Sequence, residues 1–443
     1  LIIVPVKLRK RIDCHKESLP LSSVFWLRLL LIFLLAVGHV SLWVWLYNRI
    51  NAVGLQRATI KRLEKLVVLL CLLLPFVFFF IEWRYGLWGN SWQHFSERIQ
   101  EPQFYRRGST ATLIYFGAVL TFFAWTAPRW LAHRPAFAVA KKRYHLVHRR
   151  LEPRLHKQNP HWVMGAKTRY SLAIPGNEIL SLETNIKLLF IDQLDKAFEG
   201  MRIGHLSDIH LMGQISPDFT RYCADWVVTN GAELLVLSGD LVDDARAIKH
   251  LESAFAHLPS DLPKVFVLGN HDRAYGLVEP ARDTMVGMGW LDAGARDWRI
   301  QTARGAVQVL GSELPWLDRH TSTSAMDLGD EDVPASGPYM TLGVSHSPDR
   351  FAWARLRGCH LLLSGHTHGG QIRVPGIGPI ISPSWHGSRF ASGVFYKYPT
   401  VMHVSRGVSG THPLRWRCPP EASVLELASR PSEPSTHPVG SKK

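Results

Sequence analysis

The sequence predicts an α/β domain preceded by an all-α transmembrane region, and three observations lead there. Residues 1–180 carry 26 Lys and Arg against 8 Asp and Glu, a net of +18, whereas the remainder carries 25 against 28, a net of −3. Within the basic half lie three long apolar runs with almost no polar face. From about residue 180, short apolar runs alternate with amphipathic stretches and Gly-rich turns, and five of those runs end in His, Asp or Asn.

In chain order, the first apolar run is VFWLRLLLIFLLAVGHVSLWVWLY, residues 24–47. It is long enough to cross a bilayer, with Arg28 near one end, where a long cationic side chain can snorkel. LVVLLCLLLPFVFFFIEW, residues 66–83, is the clearest span, and its Pro75 is tolerable inside a membrane helix. ATLIYFGAVLTFFAWTAPRWL, residues 111–131, is the third, with Trp125 and Trp130 as interfacial anchors. Several spans follow the first and no small-residue cleavage site stands out after it, which disfavours a signal peptide. Position 1 is Leu, so the natural start is expected to lie outside this sequence.

The loop after the first run holds Arg49, Arg57, Lys61, Arg62 and Lys65, and the segment after the third holds eight more cations between Arg134 and Lys157. With three spans these two segments share one side, which the positive-inside tendency assigns to the cytoplasm together with everything C-terminal to them. The basic N-terminal tail would then lie outside, against that tendency. The expected organisation is a transmembrane region over 1–135, a basic juxtamembrane linker over 136–180, a globular domain over 181–428 and a disordered tail over 429–443. Residues 141–157 of the linker suit anionic headgroups, and the tail is rich in Pro and Ser.

The net acidity of the C-terminal part argues against a nucleic-acid groove there. Five scattered cysteines, Cys14, Cys71, Cys223, Cys359 and Cys418, contain no CxxC pair, so neither a disulfide framework nor a thiolate zinc site is suggested.

The five strand candidates deliver a consistent set of side chains. MRIGHLSDIH supplies Asp208 and His210, AELLVLSGDLVDD supplies Asp240, PKVFVLGNHD supplies Asn270 and His271, YMTLGVSHSPD supplies His346, and CHLLLSGHTHGG supplies His366 and His368. FTRYCADWVVTNGA and ARAIKHLESAFAHL, between the first three, read as helices. Such alternation implies βαβ units, whose ligands bind beyond the carboxyl ends of the strands. Mixed imidazole and oxygen donors suit Mn²⁺, Fe²⁺ or Zn²⁺ better than Ca²⁺ or Mg²⁺. There are more donors than one ion uses, and a carboxylate such as Asp240 can bridge two. Two ions so held would acidify a water and clamp phosphoryl oxygens, the logic of phosphate-ester hydrolysis.

The motifs SDIH, GDLVDD, GNHD, SHSPDRF and GHTHGGQ, in this order and spacing, resemble the calcineurin-like metallophosphoesterase family over residues 198–425. That resemblance implies two mixed β-sheets sandwiched between helices. It also implies a first ion on Asp208, His210 and His368, a second on Asn270, His346 and His366, and Asp240 between them. His271 would stand outside the metal shell and protonate the leaving oxygen, with Asp272 orienting it; an imidazole titrating near neutrality suits that task. GHTHGGQIRVP followed by SRGVSGTHPLRWRCPPE resembles a membrane-anchored phosphodiesterase branch that includes enzymes cleaving UDP-2,3-diacylglucosamine in lipid A synthesis. The expected partners are therefore a lipid bilayer and a phosphoester or pyrophosphate substrate, with no nucleic acid. A broad phosphodiesterase or phosphatase of soluble nucleotides, or a non-catalytic metal-binding membrane sensor or scaffold, are the alternatives.

Weaker expectations concern the surroundings. Arg373 and Arg389 are candidate substrate-phosphate contacts or ordinary surface cations. His205 reads as a packed histidine, and His403 and His412 as structural or peripheral. Asp243 and Asp244 support the site from behind or cap a helix. Residues 314–339 read as an acidic loop over the site or away from it.

Overall fold

The computed structural model describes residues 21–85, 109–132, 139–318, 337–410 and 412–430. Three helices, α1 (Leu21–Ile50), α2 (Arg57–Tyr85) and α3 (Ser109–Ala132), cover the three apolar runs and extend past them. Phe25–Ile50 and Arg57–Phe80 are long and apolar enough to cross a membrane. The chain divides into two compact units, residues 1–42 with 73–125, and residues 43–72 with 126–443. Within the first, Gly38 allows a close helix approach, because a Cβ there would sit 2.8 Å from Val119 Cγ1. Tyr115 stacks on Phe78 with ring centroids 4.4 Å apart, and its hydroxyl is 2.6 Å from His39 Nδ1. Phe33, Phe76 and Phe79 point outward, leaving an apolar surface that suits lipid better than water.

The second unit contains all the strands of the described residues: β1 (Tyr144–Glu152), β2 (Leu182–Ile191), β3 (Arg202–Leu206), β4 (Leu234–Ser238), β5 (Lys264–Val267), β6 (Leu291–Asp292), β7 (Trp298–Thr302), β8 (Gly305–Ser312), β9 (Tyr339–Ser345), β10 (Leu361–Ser364), β11 (Arg373–Val374), β12 (Gly378–Pro379), β13 (Gly393–Lys397), β14 (Thr400–Val404) and β15 (Glu421–Ser429). One mixed sheet runs β1-β2-β15-β3-β4-β5-β6 and a second runs β13-β14-β10-β9-β8-β7, with β11-β12 a separate hairpin. The segment β3-β4-β5 is parallel in the first sheet and β8-β9-β10-β14 in the second.

Period-two alternation builds the layers. Leu234 and Val236 face Leu361, Leu363, Leu342 and Val344 in the core between the sheets, while Leu235 and Leu237 face outward. There they meet α5 (Pro217–Thr229), whose Phe219, Cys223 and Val227 recur every four residues as one buried stripe. Full burial of each such side chain contributes about 1.5–3 kcal/mol. Helix α5 starts where Ser216 accepts from the Asp218 N–H and Pro217 occupies the first turn, and the chain leaves it through Gly231 at φ +81°. A third cluster packs Phe351, Ala354 and Phe390 on the outer face of the second sheet, against Leu362 and Met402. The result is the expected pair of mixed sheets between helices.

Two expectations about boundaries change. Residues 144–152, within the segment expected as a basic linker, form the edge strand β1, antiparallel to β2. Its residues are almost all exposed, so no alternation marks it in the sequence, and its cations serve the sheet edge: Arg149 is bonded to Glu183 at 2.7 Å. At the other end β15 runs to Ser429, and residues 431–443 of the expected tail lie outside the described residues.

Candidate metal centre

Each expected ligand stands just beyond a strand's carboxyl end. Asp208 and His210 follow β3, Asp240 follows β4, Asn270 and His271 follow β5, His346 follows β9, and His366 and His368 follow β10. The loops are laced together by backbone bonds: the N–H groups of Asp208, Ile209 and His210 donate to the carbonyls of Gly239 and Asp240. Asp208, His210, Asp240, His366 and His368 all have left-handed backbone, with φ between 48° and 68°. Such conformations cost non-glycine residues about 1–2 kcal/mol each and gather where a site demands them. Two glycines allow the close approach. A Cβ on Gly269 would lie 2.1 Å from Asp240 Oδ1, and one on Gly365 would lie 1.7 Å from Ser207 Oγ.

Three donor clusters form among the described residues, one of them His210, Asp243 and His271, and the other two share a carboxylate. Of those two, one joins Asp208, His210, Asp240 and His368, the other Asp240, His346 and His366, so Asp240 belongs to both. Asn270 Oδ1 lies 3.2 Å from His346 Nε2 and extends the second cluster. Asp240 Oδ1 accepts from the His271 N–H at 2.9 Å, but Asp240 Oδ2 is buried without a donor, and so is His366 Nε2. His210 Nε2 and His368 Nε2 are 3.2 Å apart, two nitrogens turned toward one point.

The tautomers are set from behind. His346 Nδ1 faces the Ser238 carbonyl at 2.7 Å, His368 Nδ1 faces the Ser409 carbonyl at 3.2 Å, and His210 Nδ1 faces the Asp243 carboxylate at 3.1 Å. In each ring Nδ1 donates outward and Nε2 is turned inward, the pattern of histidines that ligate metal. Burial opposes charge on His210, but Asp243, Asp240 and Asp208 outweigh it and push the pKa up to about 9. His346 likewise rises to about 9, burial being overcome mainly by Asp240. Buried carboxylates thus draw cationic charge into the site, and the unpartnered oxygen and nitrogen lone pairs fit divalent ions.

His271 stands beside the donors. Its Nδ1 is 2.7 Å from Asp243 Oδ1, leaving Nε2 toward the cleft. The carboxylate that orients it is therefore Asp243. Asp272, expected in that role, instead accepts from the backbone N–H groups of Leu241, Val242 and Gly269 at 2.8–3.0 Å. Asp243 bonds His210 and His271 together. Although burial alone would raise its pKa, those imidazoles hold the carboxyl well below the usual range. Asp244 caps the turn at 245–247 by accepting from the Arg246 N–H.

The clusters open into a cleft of about 870 Å³ whose lining includes Asp240, Asn270, His271, His366 and His368. Arg373 and Arg389 do not line it. Arg373 donates to the Gly369 carbonyl and the Ser392 hydroxyl, and the Arg389 guanidinium carbon lies 5.0 Å from the Phe390 ring centroid. His412, expected as structural or peripheral, does line the cleft. His205 and His403 are buried and bonded to each other at 2.8 Å, as packed histidines.

Three contributors lacked a distinct sequence signal. Trp316 lines the cleft with its ring centroid 4.6 Å from that of His366 and 5.4 Å from that of His346. It lies in the stretch 314–339, of which residues 319–336 fall outside the described residues. Gln371 ends the GHTHGGQ motif and lines the cleft, and residues 55–58 of the turn between α1 and α2 line it from the other side.

Residues 201–370 match the model of the calcineurin-like phosphoesterase family. The uncharacterized metallophosphoesterase YkuE of Bacillus subtilis is 28% identical over 258 residues, covering 56% of this chain and 86% of the relative. Phosphodiesterase YaeI of Escherichia coli is 29% identical over 204 residues, covering 44% of this chain and 70% of the relative. Residues 201–370 are thus similar to calcineurin-like phosphoesterases, and the protein is a metal-dependent phosphoester hydrolase.

Proposed function

We propose that this protein is a membrane-anchored two-ion phosphodiesterase acting on a phosphodiester or pyrophosphate bond in a lipid-linked substrate, of the UDP-2,3-diacylglucosamine kind used in lipid A synthesis. The observation that carries the reading is Asp240, shared by both donor clusters, with one buried oxygen that accepts no hydrogen bond and faces the imidazoles of His210 and His346. Asp208, His210, Asp240 and His368 would hold one ion, and Asp240, Asn270, His346 and His366 the other, with Mn²⁺, Fe²⁺ or Zn²⁺ as suitable occupants. The ions would lower the pKa of a water and neutralise phosphoryl charge.

The protein's own part is proton delivery and exclusion of water. His271 Nε2 faces the cleft and would give its proton to the leaving oxygen, while Asp243 fixes the ring through Nδ1. Trp316 and the turn before α2 cover the site. The anchor reading draws support from the outward aromatic side chains of α1 and α2. It places residues 1–135 in and beside the bilayer. Residues 43–72 belong to the same compact unit as 126–443, which supports a single side, the cytoplasm, for the α1–α2 turn and the hydrolase domain.

The test uses the full chain in detergent with Mn²⁺, comparing UDP-2,3-diacylglucosamine with bis-p-nitrophenyl phosphate and taking His271→Ala as the blank. Rapid UMP release at a much higher kcat/KM than the generic diester supports the lipid-linked substrate. Cleavage of the generic diester alone rejects that substrate and keeps the hydrolase.

A further inference from the structure

The domain that carries the metal donors is not the whole site. Asn51–Gln56 join α1 to α2, and this turn is seated on the hydrolase fold. The Arg273 guanidinium donates to the Gly54 carbonyl at 2.9 Å. The Asn48 amide donates to the Ile380 carbonyl at 3.3 Å and accepts from the Ser382 N–H at 2.9 Å. Gly54 approaches the backbone so closely that a Cβ would lie 2.1 Å from the Pro315 carbonyl oxygen, and Ala52 is buried.

This seating brings Arg57, the first residue of α2, to the proton donor. Arg57 Nη1 is 3.2 Å from His271 Nε2, and Nη2 donates to the Tyr275 hydroxyl at 3.2 Å. Its guanidinium carbon is 5.0 Å from the Tyr275 ring centroid. Of the other cations lining the cleft, Lys61 is engaged with Glu64, Arg246 with Asp244 and Arg273 with Gly54, which leaves Lys167. Among the described residues no carboxylate stands within ion-pair distance of Arg57.

A guanidinium has only donors. Its Nη1 therefore occupies the point that His271 Nε2 faces. His271 as proton donor needs Nε2–H directed at the same point. Both groups are satisfied when a phosphoester enters between them and offers an oxygen to each. We propose that Arg57 is a substrate-contact residue: with a phosphoester in the cleft, its guanidinium leaves His271 Nε2 and binds a non-bridging phosphoryl oxygen. The membrane-proximal helix pair thereby completes a site whose metal-binding side comes from the hydrolase fold, and Arg57 lies far outside the matched segment 201–370.

This inference rests on the hydrolase reading with His271 as acid, and the test keeps the two apart. The full chain in detergent with Mn²⁺ is assayed on bis-p-nitrophenyl phosphate as wild type, Arg57→Ala and Arg57→Lys, and binding of inorganic phosphate is measured by calorimetry, which needs no turnover. A charge-assisted hydrogen bond of the usual strength corresponds to about a 10- to 100-fold loss of kcat/KM in Arg57→Ala, carried mostly by KM. Phosphate affinity should fall by a similar factor while the manganese content stays at the wild-type value, and Arg57→Lys should recover much of the loss. Should Arg57→Ala not be recovered folded, Arg57→Gln reads the same constants with the charge removed. Kinetics and phosphate affinity within about twofold of wild type would overturn the assignment, as would a rise in kcat/KM, which would mark the guanidinium as an obstruction. A wild type without turnover whose phosphate binding still depends on Arg57 would overturn the reaction reading and leave the contact standing.

Discussion

Asp243→Asn separates catalytic orientation from structural support. In the native site one carboxylate receives His271 Nδ1 at 2.7 Å and His210 Nδ1 at 3.1 Å. The amide retains shape and one acceptor oxygen, so packing survives, but the hydrogen bond to a charged carboxylate that orients His271 is gone. A hydrogen bond to a charged group contributes about 1.5–3 kcal/mol, so its loss predicts about a 10- to 100-fold fall in kcat. Loss of the carboxylate behind His210 adds about a 10- to 100-fold weakening of metal affinity, as for other partners of metal-bound histidines. Steady-state kinetics at saturating Mn²⁺ isolates the first effect, and a metal titration the second. Asp272→Asn is the contrast: the amide keeps one oxygen for Leu241 and Val242 and loses the acceptor of the Gly269 N–H, costing about 1–3 kcal/mol of stability. A kcat for Asp243→Asn within threefold of wild type at full metal occupancy would refute Asp243 as the orienting group.

Three more outcomes are expected. Asp240→Asn should weaken both ions together, because Asp240 is the one residue common to the two clusters; loss of a single ion on metal analysis would remove the bridging role. Ion uptake should release protons and tighten as pH rises toward 9, since His210 and His346, each with a pKa raised to about 9, must lose a proton to ligate. Calorimetry at pH 7 in two buffers of different ionisation enthalpy measures the release, and a value near zero contradicts the argument. Glu421→Ala should cost about 3–5 kcal/mol, because the buried carboxylate faces Lys187 Nζ at 2.7 Å and Arg406 Nε at 3.3 Å and its loss strands Lys187 and leaves Arg406 on Glu183 alone. That corresponds to a fall of roughly 6–20 °C in thermal midpoint, and a shift under 3 °C would show that Glu183 alone neutralises them.

The metal-facing side chains were legible because each is local to its strand end: a short apolar run predicts the strand, and the polar residue beyond it predicts the tip. What was not legible depended on direction or on distance along the chain. His271 and Asp272 are adjacent in sequence, which suggested a pair, but consecutive residues on a helical turn point about 100° apart, and the two side chains diverge. Asp243 reaches His271 from the neighbouring strand's loop, one of two roles its position allowed. Strand β1 reads as a basic linker because an exposed edge needs no apolar alternation. Arg57 is separated from His271 by 214 positions and belongs to an apolar helix whose own pattern speaks only of lipid.

The centre and the anchor make one physical argument. Five donor residues hold left-handed backbone, Asp240 Oδ2 and His366 Nε2 make no hydrogen bond in the protein, and two histidines turn their Nε2 atoms on each other. None of these arrangements favours the folded protein by itself; each becomes favourable once cations occupy the point where the lone pairs meet. Arg57 and His271 present the complementary case, two donors facing a point that only an acceptor satisfies. Between them the cleft alternates sites for positive and negative charge, and a phosphoester with its divalent ions supplies that alternation. The negative half comes from strand ends of the hydrolase fold and the positive half from the turn of a helix pair suited to lipid.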